Sequence, residues 1–229
     1  MMKPMLKALY VILCVGFFAS CERESSLDVN QDKIYTDYEL FYNSNTDKTV
    51  VVAQFRFGGP TGTLLELMDP ASVTFEGDVL SYNVLYNGHA KEYAGQLTGG
   101  TFTYVDGDAN TFINSVPSYE SIQFPNDFTT LKKSEAYDLQ WDGTPLSADQ
   151  WVGLFIGTWT WGQDALFLQN SVGADNLILG VNQMSNLAVG NSTVYMDRAT
   201  GVEVTQGTSE GGRIRGKFRA TNATVMIEE

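Results

Sequence analysis

The chain has 229 residues, 43% of them hydrophobic and 12% aromatic, which excludes a wholly disordered or collagen-like protein and fits one large β domain or two smaller ones. Acidic side chains number 27 against 14 Lys and Arg, and the net charge of -13 argues against nucleic acid as a partner, because phosphate binding draws on basic patches. The single histidine, His89, excludes multi-histidine metal sites and leaves one candidate base for Ser-His or Cys-His chemistry.

The first predicted element is an export signal. Lys3 and Lys7 supply a positive start, Ala8 to Ser20 is uncharged and mostly apolar, and Ala19 and Ser20 are small. The run stops at Cys21 and is followed by Glu22, Arg23 and Glu24, so it is shorter than the about 20 apolar residues of a permanent membrane span. Phe18-Ala19-Ser20-Cys21 resembles the lipobox of bacterial lipoproteins, with Phe18 where Leu is usual. The resemblance implies a signal peptide over 1–20, cleavage before Cys21 and acylation of that cysteine. The alternative is an ordinary signal peptide with a cysteine at its boundary. Cys14 lies inside the signal, so no thiol is left for a disulfide and the exported chain is held by its core alone. Loss of Lys3 and Lys7 leaves 12 basic against 27 acidic side chains, a mature charge of -15 that repels anionic headgroups. Residues 21–34 read as a lipidated, polar tether. Glu22 and Glu24 resemble the acidic surface-export signal of Bacteroidetes-type lipoproteins, and both the periplasmic and the cell-surface face of the outer membrane stay open.

Beyond the tether the pattern predicts strands nearly throughout. Short segments rich in Val, Tyr, Phe, Thr and Trp alternate with Gly, Asn, Asp and Pro clusters. They are Tyr38 to Tyr42, Val50 to Phe57, Thr63 to Met68, Val73 to Phe75 and Thr101 to Val105, then Tyr137 to Trp141, Trp151 to Thr160, Ala165 to Gln169, Asn176 to Val181, Ser192 to Met196 and Thr221 to Glu228. No window of helical length keeps a 3.6-residue apolar period. Ser147 and Gln150 have the spacing of a capping box, but Pro145 before them and the apolar run after them predict a turn.

Asn87-Gly88 predicts a two-residue type I′ hairpin, which pairs Tyr86 with His89, Val84 with Lys91 and Tyr82 with Tyr93. Leu80, Tyr82, Val84, Tyr86, Tyr93 and Leu97 then share a core face, and His89 is a half-exposed imidazole packed on Tyr86 rather than a catalyst. Val116-Pro117-Ser118-Tyr119-Glu120-Ser121 predicts a boundary between a β-sandwich domain over 35–116 and a second over 117–229. The strand rhythm, the lipobox and the Trp-containing second half resemble outer-membrane lipoproteins of Bacteroidetes type with Ig-like β-sandwich modules. That resemblance implies an all-β fold of two tandem antiparallel sandwiches, without the cysteine pair of true immunoglobulin domains.

Three constellations are candidates for function. Asp106, Asp108 and Asn110 begin like an EF-hand loop, but Thr111 stands in place of the required Gly and Pro117 in place of the bidentate Glu, so the metal reading is none and a polar hairpin turn is expected. From Trp151 to Trp161 a period of two places Trp151, Phe155, Trp159 and Trp161 on one face and Val152, Leu154 and Ile156 on the other. Both faces are apolar at the start of this strand, which predicts a central, covered strand. Trp159 and Trp161 stand where a rim could stack on sugar rings. Arg213, Arg215, Lys217 and Arg219 share one strand face, either paired with acids such as Glu203 or Glu228 or offered to an anionic partner.

Gly-x-Ser-x-Gly, phosphate-loop and nucleotide fingerprints are absent from the sequence, and no cofactor is expected. The leading expectation is a non-enzymatic binding or structural module, anchored to the outer membrane through lipid and accessory to an envelope protein assembly. The alternatives are a glycan-binding surface lipoprotein and a pilus-type subunit.

Overall fold

The computed structural model describes residues 24–157 and 162–229, and over them the protein is all-β. Strands of the first half are β1 (Glu24–Ser25), β2 (Ile34–Asn43), β3 (Lys48–Phe57), β4 (Thr63–Glu66), β5 (Ser72–Phe75), β6 (Asp78–Val79), β7 (Ser81–Asn83), β8 (Gly88–Ala94), β9 (Thr101–Val105) and β10 (Thr111–Ser115). The second half has β11 (Thr130–Lys132), β12 (Tyr137–Gln140), β13 (Gln150–Ile156), β14 (Ala165–Gln169), β15 (Asn176–Leu179), the single helical turn α1 (Val181–Met184), β16 (Gly190–Glu203), β17 (Gly212–Arg219) and β18 (Ala223–Glu228).

A 12-stranded sheet runs through both halves in the order β1-β4-β3-β2-β17-β16-β13-β14, with β7, β8, β11 and β18 attached beside it. The join is the parallel pairing of β2 with β17, from Thr36 opposite Gly212 to Asn43 opposite Arg219. Alternation makes this possible. Ile34, Thr36, Tyr38 and Leu40 of β2 and Ile214, Gly216 and Phe218 of β17 point inward, while Asp37, Glu39 and the four cations of β17 point out.

Two smaller sheets cover the inner face. The sheet β10-β9-β5-β6 sets Val73, Phe75, Phe102 and Tyr104 against Tyr38, Leu40, Val51, Ala53 and Phe55. Tyr38 stacks on Phe102 at 4.6 Å. The pair β12-β15 sets Leu139, Leu177 and Leu179 against Val152, Leu154, Ile156, Val194, Met196 and Phe218. Two apolar clusters thus lie beneath one continuous sheet, and β17 contributes Ile214 to the first and Phe218 to the second.

The hairpin differs from its expected register. Tyr82 lies opposite His89 and Asn83 opposite Gly88, so the loop is Val84–Asn87, and Tyr93 pairs with Thr49 of β3. The Asn83 side chain accepts from Leu85 N–H at 2.9 Å and its carbonyl accepts from Tyr86 N–H, which makes Asn83 the start of the turn. Asn87 takes φ of 47° there, whereas Gly88 begins the strand without a positive φ. The shift moves pairs by an even number of residues, so His89 and Tyr93 keep the face expected for them.

Candidate functional site

The outer face of the sheet over β13, β14, β16 and β17 holds a groove of about 570 Å³. On β13, Gln150, Val152, Leu154 and Ile156 are buried, and Trp151, Gly153 and Phe155 alternate with them on the outside. As expected, β13 is central in the sheet, between β14 and β16; its inner residues are fully buried, whereas Trp151 and Phe155 on the outer face are half-buried among the described residues. Leu166 and Leu168 on the neighbouring edge strand β14 extend the apolar surface, at 68% and 67% exposure.

Glycines shape the floor. The ring atoms Cη2 and Cζ3 of Trp151 lie 2.8 and 2.9 Å from where a Cβ at Gly201 would stand, and Arg215 Cγ lies at 2.9 Å from the same point. Only a residue without a side chain lets the indole and the arginine stem lie across β16 there. A Cβ at Gly153, by contrast, would meet nothing within 4 Å among the described residues. Phe155 leans on Tyr195 of β16, ring centroids 6.0 Å apart.

The charged wall of the groove is β17. Arg213 meets Asp37 at 2.6 Å, Arg215 meets Asp37 at 3.0 Å and Glu39 at 3.2 Å, and Lys217 and Arg219 meet Asp197 at 2.9 and 2.6 Å. The acids ion-paired with this stripe are Asp37, Glu39 and Asp197, from the two strands flanking β17; of the two considered from sequence, Glu203 stands opposite Arg213 on β16, while Glu228 lies on β18, which does not pair with β17. Lys217 also lies 4.6 Å above the Phe41 ring, and Arg219 sits 5.6 Å from the Tyr195 ring. Burial alone would raise the Asp197 carboxyl. The hydrogen bond from Arg219 and the charges of Lys217 and Arg219 outweigh it and hold the group below its ordinary value.

Several sequence candidates have other roles. His89 is buried among Phe55 and Tyr82 rather than half-exposed at the tip beside Tyr86. Its Nε2 accepts from Leu67 N–H at 3.1 Å, so the proton belongs on Nδ1, which faces the Leu80 carbonyl at 3.3 Å. Both ring nitrogens are thereby engaged, and desolvation lowers the pKa. The Asp106 carboxylate accepts from Asp108 N–H, Asn110 N–H and the Asn110 side chain, which closes a polar turn with Ala109 at φ of 64°. Among the described residues no group of three His, Cys, Asp or Glu side chains is placed to hold a metal ion. Cys21, Trp159 and Trp161 lie outside the described residues.

Sequence reasoning missed Gly153, Gly201, Asp197 and the fully buried Arg198. Arg198 points inward from β16 and donates to the carbonyls of Thr144 and Pro145 at 2.8 and 3.3 Å and to Gln150 Oε1 at 2.6 Å. Nothing in the local pattern marks a buried arginine. A glycine at a period-two position of an aromatic strand was the one available signal for Gly153.

No family model matches this chain, and no curated protein matches it. Among solved structures there is a likeness to one from a 1.5-MDa bacterial ice-binding adhesin retained at a host cell surface, at 14% identity and a TM-score of 0.26. It covers 87% of this chain, which spans 66% of the length of the other. So loose a likeness carries no argument about function.

Proposed function

We propose that the chain is a non-catalytic binding module of the bacterial cell envelope, tethered through lipid on Cys21 and presenting the outer face of its long sheet to a ligand or partner. The observation that supports the binding role is the outer face of β13 and β14, where the exposed Leu166 and Leu168 stand beside the half-buried Trp151 and Phe155 and an ion-paired wall. A soluble chain that left such a patch open for no purpose would invite aggregation. The lipobox-like Phe18-Ala19-Ser20-Cys21 supports the tether, because covalent acyl chains hold a soluble domain at a bilayer far better than an acidic surface does.

Two measurements test the reading. Cys21→Ser is expected to shift the protein from the membrane to the soluble fraction, and its retention in membranes would overturn the tether. A photo-crosslinking residue in place of Leu168 is expected to form adducts in native envelopes, while one in place of Ile178, 56% exposed on the far sheet, forms none. Equal labelling at the two positions, or none at Leu168, would overturn the binding face.

A further inference from the structure

With lipid on Cys21 the folded chain has only a short leash to the bilayer. Three residues carry the chain from Cys21 to Glu24 and span at most about 11 Å. From Glu24 onward the chain is fastened to the fold. Ser26 and Gln31 are buried, and Ser26 Oγ accepts from Met68 N–H at 3.2 Å. Gln31 donates to the carbonyls of Ser26 and Val29 at 2.6 and 3.0 Å, and its Oε1 accepts from Gly107 N–H at 3.0 Å. A lipid on Cys21 would therefore hold this end of the molecule against the bilayer. β1 runs parallel to β4, with Glu24 opposite Leu65 and Leu65 opposite Phe55, so it starts from the end of the sheet at which β3 finishes at Phe57.

The turn between β7 and β8 lies at the same end. His89 of β8 stands opposite Ala53, Gln54 Nε2 donates to the Tyr86 carbonyl at 2.9 Å, and Leu85 and Tyr86 line a groove with Val52 and Gln54 on the outer side of the sheet. Gln54 is the neighbour of Phe55, so the turn and the entry point of the chain at Glu24 stand level along the strands. The apex of the turn is apolar. Val84 is 60% and Leu85 87% exposed, and the run from Val79 to Gly88 carries no charge in a chain of net charge -13. Its backbone is already bonded. Leu85 N–H donates to the Asn83 side chain, Tyr86 N–H to the Asn83 carbonyl and Asn87 N–H to the Val84 carbonyl, at 2.9, 3.2 and 3.2 Å. Such a turn can enter a medium without water, because these donors keep their partners there. Tyr86 beside the apex has the amphipathic ring suited to a membrane interface, its hydroxyl donating to Glu92 at 2.9 Å.

We propose, resting on the reading that Cys21 carries lipid, that the Val84-Leu85 apex dips into the headgroup–acyl boundary of the same bilayer, a second contact that sets the orientation of the protein above the membrane. The lipid it meets has neutral headgroups, since the acidic chain is repelled by anionic ones. A protein partner fits less well. Two exposed side chains cover far less than the about 800 Å² that each side of a stable protein interface buries, and the bonded N–H groups of the turn offer little to an added strand. One Val and one Leu hold a protein weakly by themselves, but the leash makes their contact intramolecular, at high effective concentration. In the order β3-β2-β17-β16-β13 the strand β13 is well removed from this corner, so the contact is independent of what the face over β13 binds.

The test uses the protein as purified from membranes, reconstituted on phosphatidylcholine vesicles whose acyl chains carry nitroxide quenchers. A nitrobenzoxadiazole label is attached to Leu85→Cys or, as a control, to Ile178→Cys. The label at Leu85→Cys is expected to lose about half of its emission or more, and the label at Ile178→Cys none, because an apex at the acyl boundary lies within reach of the quenchers. With the label on Val84→Cys, the added change Leu85→Asp is expected to cut quenching about threefold or more, while Leu85→Phe keeps it. Absence of quenching at Leu85→Cys in protein that stays on the vesicles, equal quenching at Ile178→Cys, or quenching that survives Leu85→Asp would each overturn the bilayer contact and leave the tether standing. Protein that does not attach to the vesicles, with Cys21 itself taking the label, would overturn the tether and the contact together. A label at Leu85→Cys that is shielded in native envelopes but not on pure lipid would mean a protein partner, and would also overturn the contact.

Discussion

Arg198 and Glu120 meet at 3.2 Å across the segment that connects the two halves of the chain, the arginine side chain fully buried and the glutamate 44% exposed. Glu120 also accepts from the Thr144 hydroxyl, and that contact, with the Arg198 charge, holds its carboxyl below its usual value against the effect of burial. Arg198 thus ties the connecting segment and the 144–145 turn to the inner face of the long sheet.

Removing that arginine should be costly. Arg198→Ala is expected to lower stability by about 2–4 kcal/mol, because it opens a cavity and leaves two carbonyls and Gln150 Oε1 short of a donor. Glu120→Gln should cost less than about 1 kcal/mol, since its carboxylate is partly solvated. Urea unfolding of both variants checks this, and equal losses would contradict it.

Neighbouring residues of β13 should separate inner from outer face. Leu154→Ala is expected to cost about 2–5 kcal/mol as a core truncation. Phe155→Ala, half-buried on the outer face, should cost less, about 1–2 kcal/mol. Parallel denaturant melts decide the matter, and a Phe155→Ala loss as large as that of Leu154→Ala would mean that the outer face is covered as fully as the inner one.

His89 should make stability depend on pH in the mildly acidic range. Its folded pKa is lowered by burial, against the opposing effects of the Leu80 carbonyl and the Glu66 charge. The unfolded chain therefore binds the proton first. The contribution is complete above about pH 6.5 and is lost as pH falls through the lower folded value. Urea midpoints between about pH 8 and pH 5 should fall in the native protein and stay flat in His89→Gln. The carboxyls held below their ordinary values, such as Asp197 and Glu120, act only at more acidic pH, below about 4.

The hairpin turn gives a conformational test at Asn87, where φ is 47°. Asn87→Gly should be tolerated, whereas Asn87→Val should cost about 1–2 kcal/mol, because a β-branched residue resists the left-handed region. Gly88 has no positive φ, but a Cβ there would lie 2.8 Å from the Ala53 carbonyl oxygen, so Gly88→Ala should destabilise through crowding between β3 and β8. Thermal melts of the three variants compare these costs.

Strand identity was written in local pattern. Thr101–Val105 and Ala165–Gln169 match their predicted spans, since alternation and turn residues act over neighbours alone. The outward face of β17 was legible for the same reason, as Arg213, Arg215, Lys217 and Arg219 stand at every second residue. What tertiary structure decided was who stands beside whom. The pairing of β2 with β17 joins residues more than 170 positions apart, and it alone brings Asp37 and Glu39 to the cations of β17. The extent of β16 was hidden because Arg198 faces inward where the pattern calls for an apolar residue, and the carbonyls of a distant turn, Gln150 Oε1 and Glu120 together make that burial tolerable. The surroundings of Gly153 were hidden likewise: it reads as a gap in a strand until Leu168 and Asp197 are set on either side of it, and the register that does so is a property of the whole sheet.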